Sequence, residues 1–267
     1  VAAVNKRLAT DGIARHGQAM SDQNTQRIDQ LLVSLGLFAS RSRARDAVSR
    51  GTVKVDGKVV TKAGAVFGED VSIEIDDPAQ EYVSRAALKL AAALDHFKLD
   101  PTGHHCLDVG ASTGGFTEVL LERGAAHVTA IDVGHGQMHP RLAENPDVTN
   151  IEGLNARNLE AEDIGHPLTF IVSDVSFITL KLALAPALDL AEQGATAVLL
   201  VKPQFEAGRE AIGKGGMLKD PSTAPAVAAE LERWFVEDMG WTSLGLIPSP
   251  ISGGDGNQEY LLAGTKP

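Results

Sequence analysis

The 267-residue chain has one cysteine, Cys106, and that scarcity excludes a disulfide scaffold. Cys106 stands in the apolar approach to a glycine-rich turn and reads as a small buried hydrophobe rather than a nucleophile, which suits a reducing cytoplasm. Long apolar runs are missing too: the longest, residues 195–201 and 182–188, fall well short of the ~18 residues a bilayer-spanning helix needs, and Pro186 interrupts the second. Residues 1–26 mix Asn, Lys, Arg, Asp and Gln without the apolar stretch of a secretory signal, and are expected to form a poorly ordered extension. The eight histidines, including His104-His105 and the pair His135 and His139, show no pairing with cysteine and no helical His-x-x-x-His on a credible site, so no metal is expected. The dinucleotide fingerprint Gly-x-Gly-x-x-Gly is absent as well. Ser112 stands where its second glycine would follow Gly110, which argues against a nicotinamide-dependent oxidoreductase.

With 43% hydrophobic and 22% charged residues, the chain can bury one full core and a smaller one, so one to two domains are expected. A formal charge of -11 argues against a simple polyanion binder until the charges are placed along the chain. Residues 27–62 carry eight Lys or Arg against three Asp, a net +5, while residues 1–26 carry +1 and residues 63–267 carry -17. A basic unit suited to a polyanion is joined to an acidic unit with another task.

In the basic unit, Ile28, Leu31, Leu32 and Leu35 recur at helical spacing before Gly36, which predicts a short amphipathic helix. Ser40 can cap a second helix with Ala44, Ala47 and Val48 facing inward and Arg41, Arg43 and Arg45 outward. Asp56-Gly57 marks a hairpin turn between residues 52 and 60, and Val71 to Ile75 alternates as a further strand. The candidate RNA-binding residues are Arg27, Arg41, Arg43, Arg45, Arg50, Lys54 and Lys58, with Arg85 further on. A solvated charged face is the competing reading of any single arginine run. The order of helix pair, hairpin and closing strand resembles the small RNA-binding domain of ribosomal protein S-four, the alpha-L fold, over residues 27 to about 76.

A polar stretch with a proline, residues 77–83, reads as a linker. Beyond it, a helix is expected from a Ser84 cap, with Leu90, Leu94 and Phe97 on one face. Seven strands are expected at 104–109, 127–132, 148–152, 168–174, 195–202, 242–248 and 258–265, with helices near 115–123, 179–191 and 224–239. Repeated βα units imply a largely parallel sheet with its ligand at the carboxyl edge of the strands. The first strand runs into Asp108-Val109-Gly110-Ala111-Ser112-Thr113-Gly114-Gly115-Phe116, a turn suited to packing backbone against an adenosine that carries an amino-acid tail, S-adenosylmethionine. Asp132, ending the second strand, can accept the ribose hydroxyls of such a ligand, and Asn155, after the third, can meet its adenine. Lys202 follows five apolar strand residues, where an ammonium is costly unless paired, so a carboxylate partner is expected. Residues 206–220, rich in glycine with Arg209, Lys214 and Lys219, read either as a flap ordering over RNA or as a surface loop.

Lys89, Asp174, Lys202 and Glu259 follow one another as in the Lys-Asp-Lys-Glu tetrad of FtsJ-type ribose 2′-O-methyltransferases, in the contexts Ser-Arg-Ala-Ala-Leu-Lys-Leu, Ser-Asp-Val-Ser-Phe, Lys-Pro-Gln-Phe and Gly-Asn-Gln-Glu-Tyr. With the leading S-four domain, residues 27–267 resemble the TlyA family, whose members methylate ribose 2′-hydroxyls of cytidines in small- and large-subunit ribosomal RNA and are often labelled haemolysins. The resemblance implies an α/β, Rossmann-like S-adenosylmethionine-dependent methyltransferase fold over residues 84–267, preceded by a small α+β RNA-binding domain. It implies that Lys89, Asp174, Lys202 and Glu259 are catalytic, that Asp108, Gly110, Ala111, Ser112, Gly114, Gly115, Phe116, Asp132 and Asn155 hold the cofactor, and that ribosomal RNA or ribosomal subunits are the partner. Two alternatives stay open: a catalytically inactive ribosome-assembly factor, and a cytolysin, which would need an inserting segment that the sequence lacks. Whether Lys202 acts as a base or as an electrostatic clamp is also open, because the flanking carboxylates and the second lysine pull its proton in opposite directions.

Overall fold

A computed structural model describes residues 25–267, in two units divided at Pro78. The extension expected over residues 1–26 lies outside the described residues except for its last two, and Gln26 belongs to a strand.

The first unit begins with β1 (Gln26–Arg27), α1 (Ile28–Ser34) and α2 (Arg41–Ser49). β2 (Val53–Val55), β3 (Lys58–Val59), β4 (Val66–Phe67) and β5 (Ile73–Ile75) follow. β2 lies between β3 and β5 in an antiparallel sheet, and β1 pairs with β4. Asp56 and Gly57 both have positive φ, 49° and 75°, the conformation a two-residue turn needs to match strand twist. Ser40 caps α2 by accepting from the Arg43 N–H at 3.3 Å. Ile28, Leu31, Leu32, Ala44, Ala47 and Val48 are fully buried together with Val53. Leu35 departs from the periodic pattern: it is the C-cap of α1 and lies 43% exposed, because the helix ends before the fourth apolar position comes round to the core.

A 3-10 turn over Pro78–Glu81 straddles the division between the units. The division falls within residues 77–83, the expected linker, and that stretch is held: Asp77 is bound by Arg50 and Ala79 is buried. α3 (Ala87–Phe97) starts three residues after Ser84, whose Oγ instead accepts from the Ala86 N–H at 3.2 Å in the preceding turn. The remaining elements are β6 (His105–Val109), α4 (Gly115–Glu122), β7 (His127–Asp132), α5 (Pro140–Ala143), β8 (Val148–Glu152), α6 (Ala161–Ile164) and β9 (Phe170–Ser173). After them come α7 (Leu180–Leu190), β10 (Thr196–Val201), α8 (Pro203–Glu206), α9 (Ala224–Glu237), β11 (Thr242–Pro248) and β12 (Tyr260–Thr265).

The seven-stranded sheet has the order β11-β12-β10-β9-β6-β7-β8, and β12 runs antiparallel to both its neighbours. Both faces are covered, so the central strands are apolar on both sides. Cys106, Phe170, Val172, Val198 and Leu200 pack toward α3 and α4, whereas Leu107, Val109, Ile171, Leu199 and Val201 pack toward α7 and α9. The chain winds outward from β6 through β7 and β8 on one side and continues at β9 on the other, which opens a crevice at the carboxyl ends of β6 and β9. Among the described residues, no helix is long and apolar enough to cross a membrane.

Candidate active site

Strand register gathers the charged residues. Val109 pairs with Ser173, so the turn after β6 lies against Asp174 after β9, and the Asp174 N–H donates to Val109 O at 3.1 Å. Val201 pairs with Tyr260 in the antiparallel direction, so Lys202, just past the end of β10, comes level with Glu259, just before the start of β12. Lys89 reaches the same place from the first turn of α3. All four line one cavity of about 370 Å³, a size within the usual range for small-molecule sites.

Within it, Lys89 Nζ lies 2.5 Å from Glu259 Oε2, and Lys202 Nζ lies 2.5 Å from Asp174 Oδ1 and donates to Ser176 Oγ at 2.7 Å. The carboxylate partner expected for Lys202 is Asp174. Burial pushes the Glu259 carboxyl above its usual range and the charge of Asp174 adds to this, while Lys89 and Lys202 pull it down. Two cations and two anions offset one another where an isolated charge would be very costly.

A smaller cavity, about 80 Å³, is lined by Gly110, Ala111, Ser112, Gly115 and Phe116, and shares Ser84, Ala86, Ser112 and Asp174 with the larger one. Gly110 has φ 82°, and a Cβ there would come within 3.0–3.1 Å of Asp174 and Val175, so only glycine lets the two strand-end loops meet. At Gly114, φ 92°, a Cβ would strike Leu142. Beneath the turn, Asp108 is fully buried, with Oδ2 accepting from Thr117 Oγ at 2.7 Å and Oδ1 lacking any partner. Burial, reinforced by the charges of Asp174 and Asp132 against the Thr117 hydrogen bonds, pushes its carboxyl up to about 7. Asp132 accepts from the backbone N–H groups of Ser112 and Gly134 at 2.8 and 2.7 Å, one on each oxygen, which leaves lone pairs for further donors. The orphaned Asp108 oxygen, the cradle at Gly110 and the spare acceptors of Asp132 fit a cofactor that offers a cationic amine and a ribose diol.

Asp108, Gly114 and Asp132 lie at the turn without lining either cavity, and Asn155 lines neither. Its Oδ1 accepts from the N–H and Nε of Arg157 and caps a 3-10 turn, a local use of an asparagine side chain that sequence cannot tell from ligand contact. The arginines of the first unit also divide. Arg27 and Arg41 both close on the buried Asp29, leaving 46% and 53% of their side chains exposed. Burial pushes the Asp29 carboxyl up, but the hydrogen bonds and charges of the two arginines outweigh it and hold the group below its usual range. Arg50 departs from its expected role: only 15% exposed, it forks onto Asp77 at 2.7 and 2.9 Å and also holds Asp46, so three of its five N–H groups are engaged within the unit. Arg45, Lys54 and Lys58 are exposed, Lys54 lying 3.9 Å from Glu74, and Arg85 lines the larger cavity. Among the described residues, no group of His, Cys, Asp and Glu is arranged to hold a metal ion.

Three features were not legible in the sequence. Phe177 adopts φ 65° and stands 90% exposed at the mouth of the larger cavity, its ring 5.0 Å from that of Phe205. Ser176 meets Lys202. Asn257 anchors the 206–220 segment, accepting from the Leu218 N–H at 3.1 Å and donating to Gly216 O at 3.0 Å, with Leu218 buried. An aromatic after an Asp-x-Ser strand end was the one available signal for the first two.

Comparison with known proteins places the two units in known families. The model of the FtsJ-like methyltransferase family matches residues 82–266, and that of the S4 domain matches residues 26–69. The 16S/23S rRNA (cytidine-2′-O)-methyltransferase TlyA of Mycobacterium tuberculosis is 43% identical over 238 residues, which cover 88% of each chain. The chain belongs to the TlyA family. Other relatives carry haemolysin names: Hemolysin A of Brachyspira hyodysenteriae is 39% identical over 88% of this chain and 98% of its own. A solved hemolysin-named structure from Streptococcus thermophilus, 38% identical, superimposes with a TM-score of 0.70 over 91% of this chain and 89% of its own.

Proposed function

We propose that this chain methylates the ribose 2′-hydroxyl of cytidine in 16S ribosomal RNA, 23S ribosomal RNA or both, in the cytoplasm, with S-adenosylmethionine as donor. The observation that carries the reading is the convergence of Lys89, Asp174, Lys202 and Glu259, four charges distant in sequence, in one cavity that abuts the glycine turn. The names of the relatives supply the substrate class.

The glycine turn from Gly110 to Gly115 and the acceptors of Asp108 and Asp132 would hold the cofactor, which when bound supplies an electrophilic methyl group on a sulfonium. A ribose hydroxyl is a poor nucleophile at neutral pH, so its oxygen must be aligned and its proton given a destination. Lys202 fixes the 2′-oxygen, and Asp174, 2.5 Å from the lysine nitrogen, places an acceptor for the departing proton beside it. Lys89 and Glu259 form a second pair that keeps the quartet neutral and shapes the field around the developing charge. Phe177 and Phe205 offer aromatic surface at the cavity mouth against which a nucleobase can stack. In the basic unit, Arg27, Arg41, Arg43, Arg45, Lys54 and Lys58 contact RNA phosphates, which position the substrate without reading its sequence.

The test is to incubate the full chain with purified 30S and 50S subunits and methyl-labelled S-adenosylmethionine, then map the modified nucleotide. Label confined to a cytidine 2′-oxygen is the expected result. Binding to subunits with no transfer in any assembly state would replace the enzyme with an assembly factor.

A further inference from the structure

Lys202 is held differently from its partner lysine. Lys89 closes on the Glu259 carboxylate, whereas Lys202 has two acceptors of different kinds, the Asp174 carboxylate at 2.5 Å and the Ser176 hydroxyl at 2.7 Å. An ammonium has three N–H directions. With one spent on Asp174, the side chain could still rotate about that bond and sweep the other two through the cavity. A second acceptor stops the rotation and leaves a single direction unassigned. Asp174, Ser176 and Lys202 all line the larger cavity, and Ser176 is exposed there, so the remaining direction is available to a substrate oxygen.

The chemistry of the second acceptor matters as much as its place. Lys89, Asp174, Lys202 and Glu259 sum to no net charge, and a third carboxylate at position 176 would leave the quartet negative beside a polyanionic substrate. A hydroxyl fixes the nitrogen without adding charge. Backbone geometry keeps it there: the next residue, Phe177, is in the left-handed region at φ 65°, which turns the chain back immediately after the serine, and its ring lies 5.0 Å from that of Phe205, three residues beyond Lys202. The two segments that carry the lysine and its hydroxyl partner are therefore tied at two points.

We infer that Ser176 is a positioning residue for methyl transfer, fixing the Lys202 nitrogen so that its free direction meets the ribose 2′-oxygen. The inference rests on the methyltransferase reading above. Its test compares Ser176→Ala and Ser176→Thr with the unaltered full chain and with Lys202→Ala, using ribosomal subunits and labelled S-adenosylmethionine, with cofactor affinity measured by calorimetry. The alanine variant should lose about tenfold in kcat, the equivalent of about 1.4 kcal/mol and close to what one hydrogen bond to a charged group contributes. KM for the subunits and the cofactor Kd should stay within about twofold, and threonine, which keeps the hydroxyl, should restore most of the rate. Unchanged kcat in the alanine variant, a loss carried by KM, or a threonine variant as slow as alanine would overturn the role of Ser176. If the unaltered chain transfers no methyl, the proposed function itself fails, an outcome separable from a normal Ser176→Ala rate in an active enzyme.

Discussion

The chain closes basic side chains onto carboxylates in two settings. In the RNA-binding unit, Arg27 and Arg41 share Asp29 yet remain about half exposed; in the catalytic unit, Lys89 and Lys202 pair with Glu259 and Asp174 while only 6% and 9% exposed. Water and salt screen the exposed arginine heads, so each contributes modestly, and because both serve one buried carboxylate either still holds Asp29 when the other is removed. The second pairs sit in a medium of low polarity, where removing one member strands another, so their effects are large and interdependent. Arg50 shows that the division follows burial rather than domain, since it lies in the basic unit but behaves like the buried group.

Lys202→Ala sharpens the contrast most. It should cut methyl transfer by about 10³-fold while changing cofactor affinity little, measured by label incorporation and calorimetry; a parallel loss of both would move Lys202 into the cofactor site. Arg50→Ala removes the guanidinium fork from Asp77, itself 2% exposed, and should cost about 2–3 kcal/mol in urea unfolding with the salt dependence of RNA binding unaltered. Weaker RNA binding at unchanged stability would instead return Arg50 to the binding face.

Asp108 supplies a pH test of the buried side. Its carboxyl is raised to about 7 from 3.8, so between those values the folded state holds a proton that the unfolded state has lost. That term makes stability fall as pH rises toward and through 7, by about 2 kcal/mol between pH 5 and 8. Asp108→Asn should flatten this fall in thermal midpoint across the same range, and an identical slope in the variant would assign the dependence elsewhere. The smallest effect belongs to the exposed side. Arg45→Ala or Lys58→Ala should weaken RNA binding by about 1 kcal/mol or less and lower the salt slope by about one unit, leaving cofactor affinity and stability as they were.

Much of this was readable from residue order. Four of the seven strands, β6, β7, β9 and β10, fall where apolar runs end at Gly110, Asp132, Asp174 and Lys202, because a strand buried on both faces is largely apolar and meets most of its polar groups at its end. Individual side-chain partners were less readable. Arg45 and Arg50 look alike in a basic segment, and only the return of the chain at Asp77 buries one and leaves the other in solvent. Asn155 looked like a ligand because it follows a strand, yet its oxygen is taken by Arg157 two residues on. Leu35 fits the helical period but lies past the last turn of its helix.

Periodicity, glycine placement and charge distribution by themselves determined two units, a doubly wound sheet and a turn open to a small ligand, since these follow from local backbone preference and the burial of apolar faces. Which oxygen meets which nitrogen was decided only in three dimensions. The pairing of Val201 with Tyr260 and of Val109 with Ser173 sets three distant charges against one another and puts Ser176 on Lys202, because strand register fixes which residues stand level while sequence distance constrains them hardly at all.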